Sequence, residues 1–208
     1  MKLGTLIAVA VFGLSTASVS QASTITFDSV PSSGNPILTT LTTDGFDFNG
    51  LHFHTIDNTA GGLFVSNGTI FLASESEVDL GRPITMTRSG GGTFSLDRFD
   101  GAETFFASPT WALITVSGVQ QGGGLLSATF TLDGIADGVG GVADFQSFVL
   151  SWTNLTSVTF DGRLVTGARG GFSIDNLVVD GQTVPEPATL LLSGLGLAGL
   201  AARRRRKK

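Results

Sequence analysis

Leu51-His52-Phe53-His54 sets two imidazoles two residues apart, a spacing that puts both on one face of a strand. Such a pair is half of a metal site. A zinc centre takes four ligands, and nothing nearby in the sequence marks a third. Two polar residues on a wet strand face account for the same spacing. Glu75, Glu77 and Asp79 alternate in the same way. Paired carboxylates can serve a glycosidase, but a solvated acidic edge explains the alternation equally and more simply. Trp111 and Trp152 are the only indoles, and an exposed indole can stack on a sugar ring. Both lie in apolar runs, Trp111-Ala112-Leu113-Ile114 and Phe148-Val149-Leu150-Ser151-Trp152, which favours core packing. The chain has no Cys, so disulfides, thiolate nucleophiles and Cys-ligated zinc are excluded. It also lacks the Gly-x-Ser-x-Gly marker of many serine hydrolases. The residues therefore predict a non-enzymatic protein.

Charge narrows the partners. Between Ser23 and Thr183 there are five arginines, no lysine and sixteen carboxylates, a formal charge of −11. Such a body repels a phosphate backbone, which excludes nucleic acid as a partner. It attracts cations. The remaining basic residues stand at the ends: Lys2, and then Arg203, Arg204, Arg205, Arg206, Lys207 and Lys208.

The elements that must position these side chains read as strands. Apolar residues recur at a period of two in Ile25/Phe27, Leu51/Phe53, Ile84/Met86, Phe94/Leu96, Ile114/Val116, Ala128/Phe130/Leu132, Val158/Phe160 and Phe172/Ile174. That period places one face on a core and the other in water. Asp-Gly follows at 44, 100, 133, 137, 161 and 180, and Asn-Gly at 49 and 67. These pairs tolerate the positive φ of tight hairpins. Gly-Gly-Gly at 90–92 and 122–124 reads as loop. About ten short strands with this punctuation predict an all-β, antiparallel β-sandwich spanning residues 23–183.

The two ends read as targeting segments. Lys2, an apolar run from Leu3 to Leu14, and Ser20-Gln21-Ala22 predict a signal peptide, 1–22, forming a signal helix and cleaved by signal peptidase after Ala22. At the other end Pro185-Glu186-Pro187 precedes fifteen uncharged residues, Ala188 to Ala202, and then the basic run 203–208. As a transmembrane helix over 188–202 that stretch is roughly 22 Å long. It spans an apolar layer of about 30 Å only with thinning or with snorkelling arginines. The basic run stays cytoplasmic by the positive-inside rule, which leaves the body outside the inner membrane.

In its order and its place, the 184–208 segment resembles the PEP-CTERM sorting signal of Gram-negative bacteria that make exopolysaccharide. The resemblance implies that Pro185, Glu186 and Pro187 are the recognition element, with Arg203 to Lys208 as a basic stop. It also implies processing by an exosortase, a membrane-embedded cysteine transpeptidase. A Pro-x-Pro segment presents a stiff, extended backbone, which suits a protease-like cleft.

Phe172-Ser173-Ile174-Asp175-Asn176-Leu177-Val178-Val179 resembles the last strand of jelly-roll carbohydrate-binding modules with a galactose-binding-like fold. In those modules an acidic residue of that strand joins an early acidic residue at a structural Ca²⁺ site. The resemblance implies a jelly-roll-like sandwich, with Asp175 and Asp28 as the matching Ca²⁺ ligands. The expected function is an exosortase-targeted surface or matrix protein, a binding or structural component of an exopolysaccharide or biofilm matrix. A carbohydrate-binding adhesin and a glycan-active hydrolase or lyase are the alternatives. An adhesin calls for an exposed aromatic platform, a structural component for buried indoles, and an enzyme for carboxylates converging in a cleft.

Overall fold

The computed structural model describes residues 22–32, 37–57, 65–74, 82–104, 112–133 and 144–181; the expected signal helix and transmembrane helix fall outside them. Among the described residues no helix is long and apolar enough to cross a membrane. The described residues form ten strands in chain order: β1 (Ser23–Ile25), β2 (Leu38–Thr43), β3 (Phe46–Asp57), β4 (Ile70–Ser74), β5 (Ile84–Arg88), β6 (Phe94–Ala102), β7 (Ala112–Gln120), β8 (Leu125–Thr131), β9 (Gln146–Leu164) and β10 (Phe172–Val179).

Every strand pairing is antiparallel. Pairing runs β10–β4–β3–β5–β9 and returns to β10 through β6, so six strands close a ring. Outside it, β1 lies on β10, β2 on β3, and β7 then β8 on β9. The expectation of an all-β antiparallel fold holds, and the pairing makes one barrel-like sheet. Ser23 stands opposite Val179, so the first strand borders the end of the last.

The ring turns its corners on residues that accept left-handed backbone. Ser151 and Asn154 in β9 and Asn176 in β10 have φ of 53°, 58° and 48°. Each sits where the ladder with β6 gains one residue. An extra residue bends its strand and increases the local twist, and Asn meets little steric penalty there. β9 can therefore run nineteen residues. Its first half pairs β6 and its second half pairs β5 and β7.

The alternating residues fill the ring. Ile25, Phe27, Phe46, Phe48, Phe53, Ile84, Met86, Phe94, Leu96, Phe99, Val158, Phe160, Phe172 and Ile174 are buried in one core cluster. Burying a side chain of this size stabilises by roughly 1.5–3 kcal/mol. A smaller cluster, Val65, Phe71, Ala73 and Ala102, lies beside it. One expected pair breaks: Phe53 is buried, but Leu51 is 70% exposed. The β2–β3 ladder slips between its Leu38–Phe53 and Thr40–Asn49 pairs. Across that irregularity the two faces of β3 exchange: Phe46 and Phe48 point inward before it, and Phe53 and Thr55 after it.

The turn reading also needs correction at specific pairs. Asp44-Gly45 forms the β2–β3 hairpin with φ of 50° and 78°, as expected, and Gly68 also has positive φ. Asn49-Gly50, Asp100-Gly101 and Asp161-Gly162 lie inside strands instead. Gly101 and Gly162 serve packing. A Cβ on Gly101 would meet Ile114 at 2.8 Å, and one on Gly162 would meet the Gly170 carbonyl oxygen at 2.2 Å.

Candidate cation sites

β10 places Asp175 directly opposite Asp100 of β6, one residue before the Asn176 bulge. The Asp175 side chain is fully buried. Its Oδ2 accepts from Asn67 Nδ2 at 2.6 Å and from Thr69 Oγ1 at 3.0 Å, and its Oδ1 accepts from the Asn176 amide at 2.8 Å. Burial pushes its pKa up to about 6, the three hydrogen bonds pull against that shift, and repulsion from Asp28 adds to it. Asp28, in the turn after β1, accepts at Oδ1 from the Ile70 amide at 3.1 Å. The two residues singled out for Ca²⁺ are thus close enough to repel. Around Asp175, Asn67 and Thr69 present donors, the polarity a carboxylate seeks and a cation does not.

The segment that carries Asn67 and Thr69 is itself folded by side chains. Asn67 Oδ1 accepts from the Thr69 amide at 3.1 Å, an Asx turn that Gly68 completes with φ of 83°. Next door, Asn176 Nδ2 donates to Asp100 Oδ2 at 3.0 Å, and the Ser147 hydroxyl bonds Asp100 Oδ1.

The same Val65–Thr69 segment reaches a second acidic group. The Val65 amide bonds the Thr104 carbonyl, and the Asp144 amide bonds the Ser66 carbonyl. Here Glu103 follows β6, Asp133 follows β8 and Asp144 precedes β9. One carboxylate oxygen from each lies within 4.8 Å of the other two. Glu103 and Asp144 are buried, at 3% and 4% exposure, while Asp133 is exposed. Three hard oxygen ligands from three strand ends could hold a metal ion of the Ca²⁺ or Mg²⁺ kind. Sequence reading missed this group. Its members are far apart along the chain, and no local motif joins them.

The other residues singled out from the sequence are placed as follows. His52 and His54 are half-buried on the same face of β3. Trp152 is half-buried against the core, with its ring where a Cβ on Gly118 would lie 3.0 Å away. Trp111, Glu75, Glu77, Asp79, Pro185, Glu186, Pro187 and the run Arg203, Arg204, Arg205, Arg206, Lys207 and Lys208 lie outside the described residues.

Comparison with known proteins bears on the tail first. Residues 183–206 match the family model of the PEP-CTERM protein-sorting motif. The chain thus carries the motif of an exported surface protein that is held at a membrane and then processed by an exosortase. No curated protein matches the sequence. Among solved structures, one similar chain holds the CBM22-1 and GH10 modules of Clostridium thermocellum xylanase 10B, complexed with xylohexaose. It has 12% identity and a TM-score of 0.42, with 77% of this chain and 28% of that one covered. Another is the CBM32 of AlyQ in complex with 4,5-unsaturated mannuronic acid, with 12% identity, a TM-score of 0.36, and coverage of 68% and 98%. A third is TmCBM61 in complex with β-1,4-galactotriose, with 9% identity, a TM-score of 0.36, and coverage of 65% and 88%. The chain spans about a quarter of the length of the xylanase chain, and of an arabinose-bound MgGH51 α-L-arabinofuranosidase to which it is also similar at 11% identity and a TM-score of 0.40.

Proposed function

We propose that this protein is a non-enzymatic structural component of the exopolysaccharide or biofilm matrix of a Gram-negative bacterium. In this reading signal peptidase removes residues 1–22, the body crosses the inner membrane, and an exosortase acts at Pro185-Glu186-Pro187. The released body then resides in the outer envelope or the matrix. The observation that carries the proposal is the PEP-CTERM motif at 183–206.

Two features of the body support a structural role. Among the described residues the large apolar side chains that stand exposed are all aliphatic, while Phe130, Phe148 and Trp152 are half-buried against the core. A sugar-stacking platform needs an accessible ring face. The converging carboxylates of Glu103 and Asp144 are nearly closed to solvent, whereas a glycosidase acid and nucleophile must touch the glycosidic oxygen and the anomeric carbon. The same reading makes the barrel-like sheet a variant of the jelly-roll-like sandwich. A structural Ca²⁺ belongs to the same reading, at Asp28 and Asp175 by resemblance or at Glu103, Asp133 and Asp144 by geometry.

The test is intact-mass analysis of protein recovered from a native host, paired with a glycan array of the same material with and without Ca²⁺. A mature chain beginning near Ser23 and lacking 203–208, with no array binding, is the expected result. Tight binding to one glycan class replaces the structural role with that of an adhesin. Retention of the basic tail on most exported chains removes the exosortase step.

A further inference from the structure

We propose that His52 and His54 form a bidentate site for a borderline divalent transition ion of the Zn²⁺ class. Their Nε2 atoms stand 3.1 Å apart, with the ring centroids at 5.1 Å and the planes at 63°. Zn–N bonds of about 2.0–2.1 Å drawn to two nitrogens at that separation meet at an angle of about 100°, near the tetrahedral value. The separation of the two Nε2 atoms thus lets a single ion reach both.

The backbone explains the convergence. The β2–β3 slip turns both imidazoles out of the core together, and the period of two keeps them on one face. Half-burial removes part of each ring's freedom, which lowers the ordering cost of binding. The pair now shares one hydrogen, with one Nε2 donating and the other accepting; the tautomers decide which. A bound ion replaces that hydrogen. The donor ring shifts to its Nδ1–H tautomer, both Nε2 lone pairs face the ion, and water completes the coordination shell. No proton leaves the neutral pair in this exchange. The body's charge of −11 raises the local cation concentration around the site.

The composition makes the site unusually easy to test. These are the only two histidines in the chain, and it has no cysteine, so a histidine-directed reagent reports on this site alone. The full-length protein is titrated with Zn²⁺ by calorimetry and, in parallel, treated with diethyl pyrocarbonate. The expected result is one Zn²⁺ per chain and protection of both histidines from modification, with no protection by Ca²⁺ at equal concentration. His52→Gln and His54→Gln should each lose saturable binding. Unchanged modification of the wild-type protein in excess Zn²⁺ would overturn the proposal without recourse to any variant. So would equal Zn²⁺ binding by a folded H52Q/H54Q protein, which would assign the ion to carboxylates.

Discussion

Asn67 donates its side-chain amide to the Asp175 carboxylate at 2.6 Å, joining residues 108 positions apart. With Thr69 and the Asn176 amide it completes a shell of donors around a fully buried acid. Through these bonds the segment before β4 is fastened to the last strand. Ile70 adds a parallel tie to Asp28, so the turn after β1 is held by the same stretch.

That arrangement predicts a pH dependence of defined sign. The folded-state pKa of Asp175 is about 6, above its ordinary value of 3.8, so between them the folded chain holds a proton that the unfolded chain has lost. Its contribution to stability therefore falls as pH rises from about 4 to about 6, then levels off. The span corresponds to an effect on the order of 2–3 kcal/mol. Urea unfolding across that range, compared between the wild type and Asp175→Asn, measures it. The variant should lack this component of the slope. Because its new amide must set a donor against an existing one, it should also carry a roughly constant penalty of about 1 kcal/mol. A slope that survives the substitution assigns the titration to another group.

Cations give a second measurable outcome. An ion that binds only the folded state stabilises by roughly 2.7 kcal/mol at a hundred times its Kd. Millimolar Ca²⁺ should accordingly raise Tm by several degrees beyond NaCl at matched ionic strength, with Mg²⁺ doing less. Abolition of the excess by Asp144→Asn places the ion with Glu103 and Asp133, and abolition by Asp175→Asn places it with Asp28. Equal shifts in Ca²⁺ and NaCl mean charge screening alone.

Legibility from sequence followed the range of each interaction. Strand existence was readable because a period of two is local, and Ile84, Met86, Phe160 and Phe172 landed inside as alternation requires. Leu51 did not, because the faces of β3 exchange at an irregularity between Asn49 and Phe53 that leaves no mark in composition. The glycines at 101 and 162 looked like turn residues, yet their positions answer to Ile114 and Gly170, contacts that only the folded chain creates. Asp28 lies near enough to Asp175 to repel it, a contact across the fold that no local pattern encodes. Glu103, Asp133 and Asp144 were invisible because three strand ends assemble them.

Packing at Gly162 sets a third prediction. A methyl there meets the Gly170 carbonyl oxygen at 2.2 Å and the Phe172 ring at 2.6 Å, neither of which can retreat cheaply. Gly162→Ala should cost about 3 kcal/mol or more, read as a lowered urea midpoint. Gly124→Ala meets the Gln120 Oε1 at 2.7 Å, the far end of a flexible side chain. It should stay within about 0.5 kcal/mol of the wild type. A Gly162→Ala protein as stable as wild type would show that β9 has room to shift there.

Processing supplies a fourth. Pro185→Ala combined with Glu186→Ala should stop tail removal while export continues, because the signal peptide is a separate element. Mass analysis of the membrane fraction should then find the uncut chain with its body outside the inner membrane. Normal release of the double variant would reduce those residues to a linker.

The position of β10 also has a mechanical consequence. The sorting motif begins just beyond Val179, so while the tail is anchored any pull on the body enters through the last strand. That strand has β6 along one edge and β1 and β4 along the other. Tension along it loads both ladders lengthwise, and many backbone hydrogen bonds must yield together. A strand at the sheet's rim, such as β8, has a single ladder to bear the same load. The load on the tail is thus shared by two ladders instead of one.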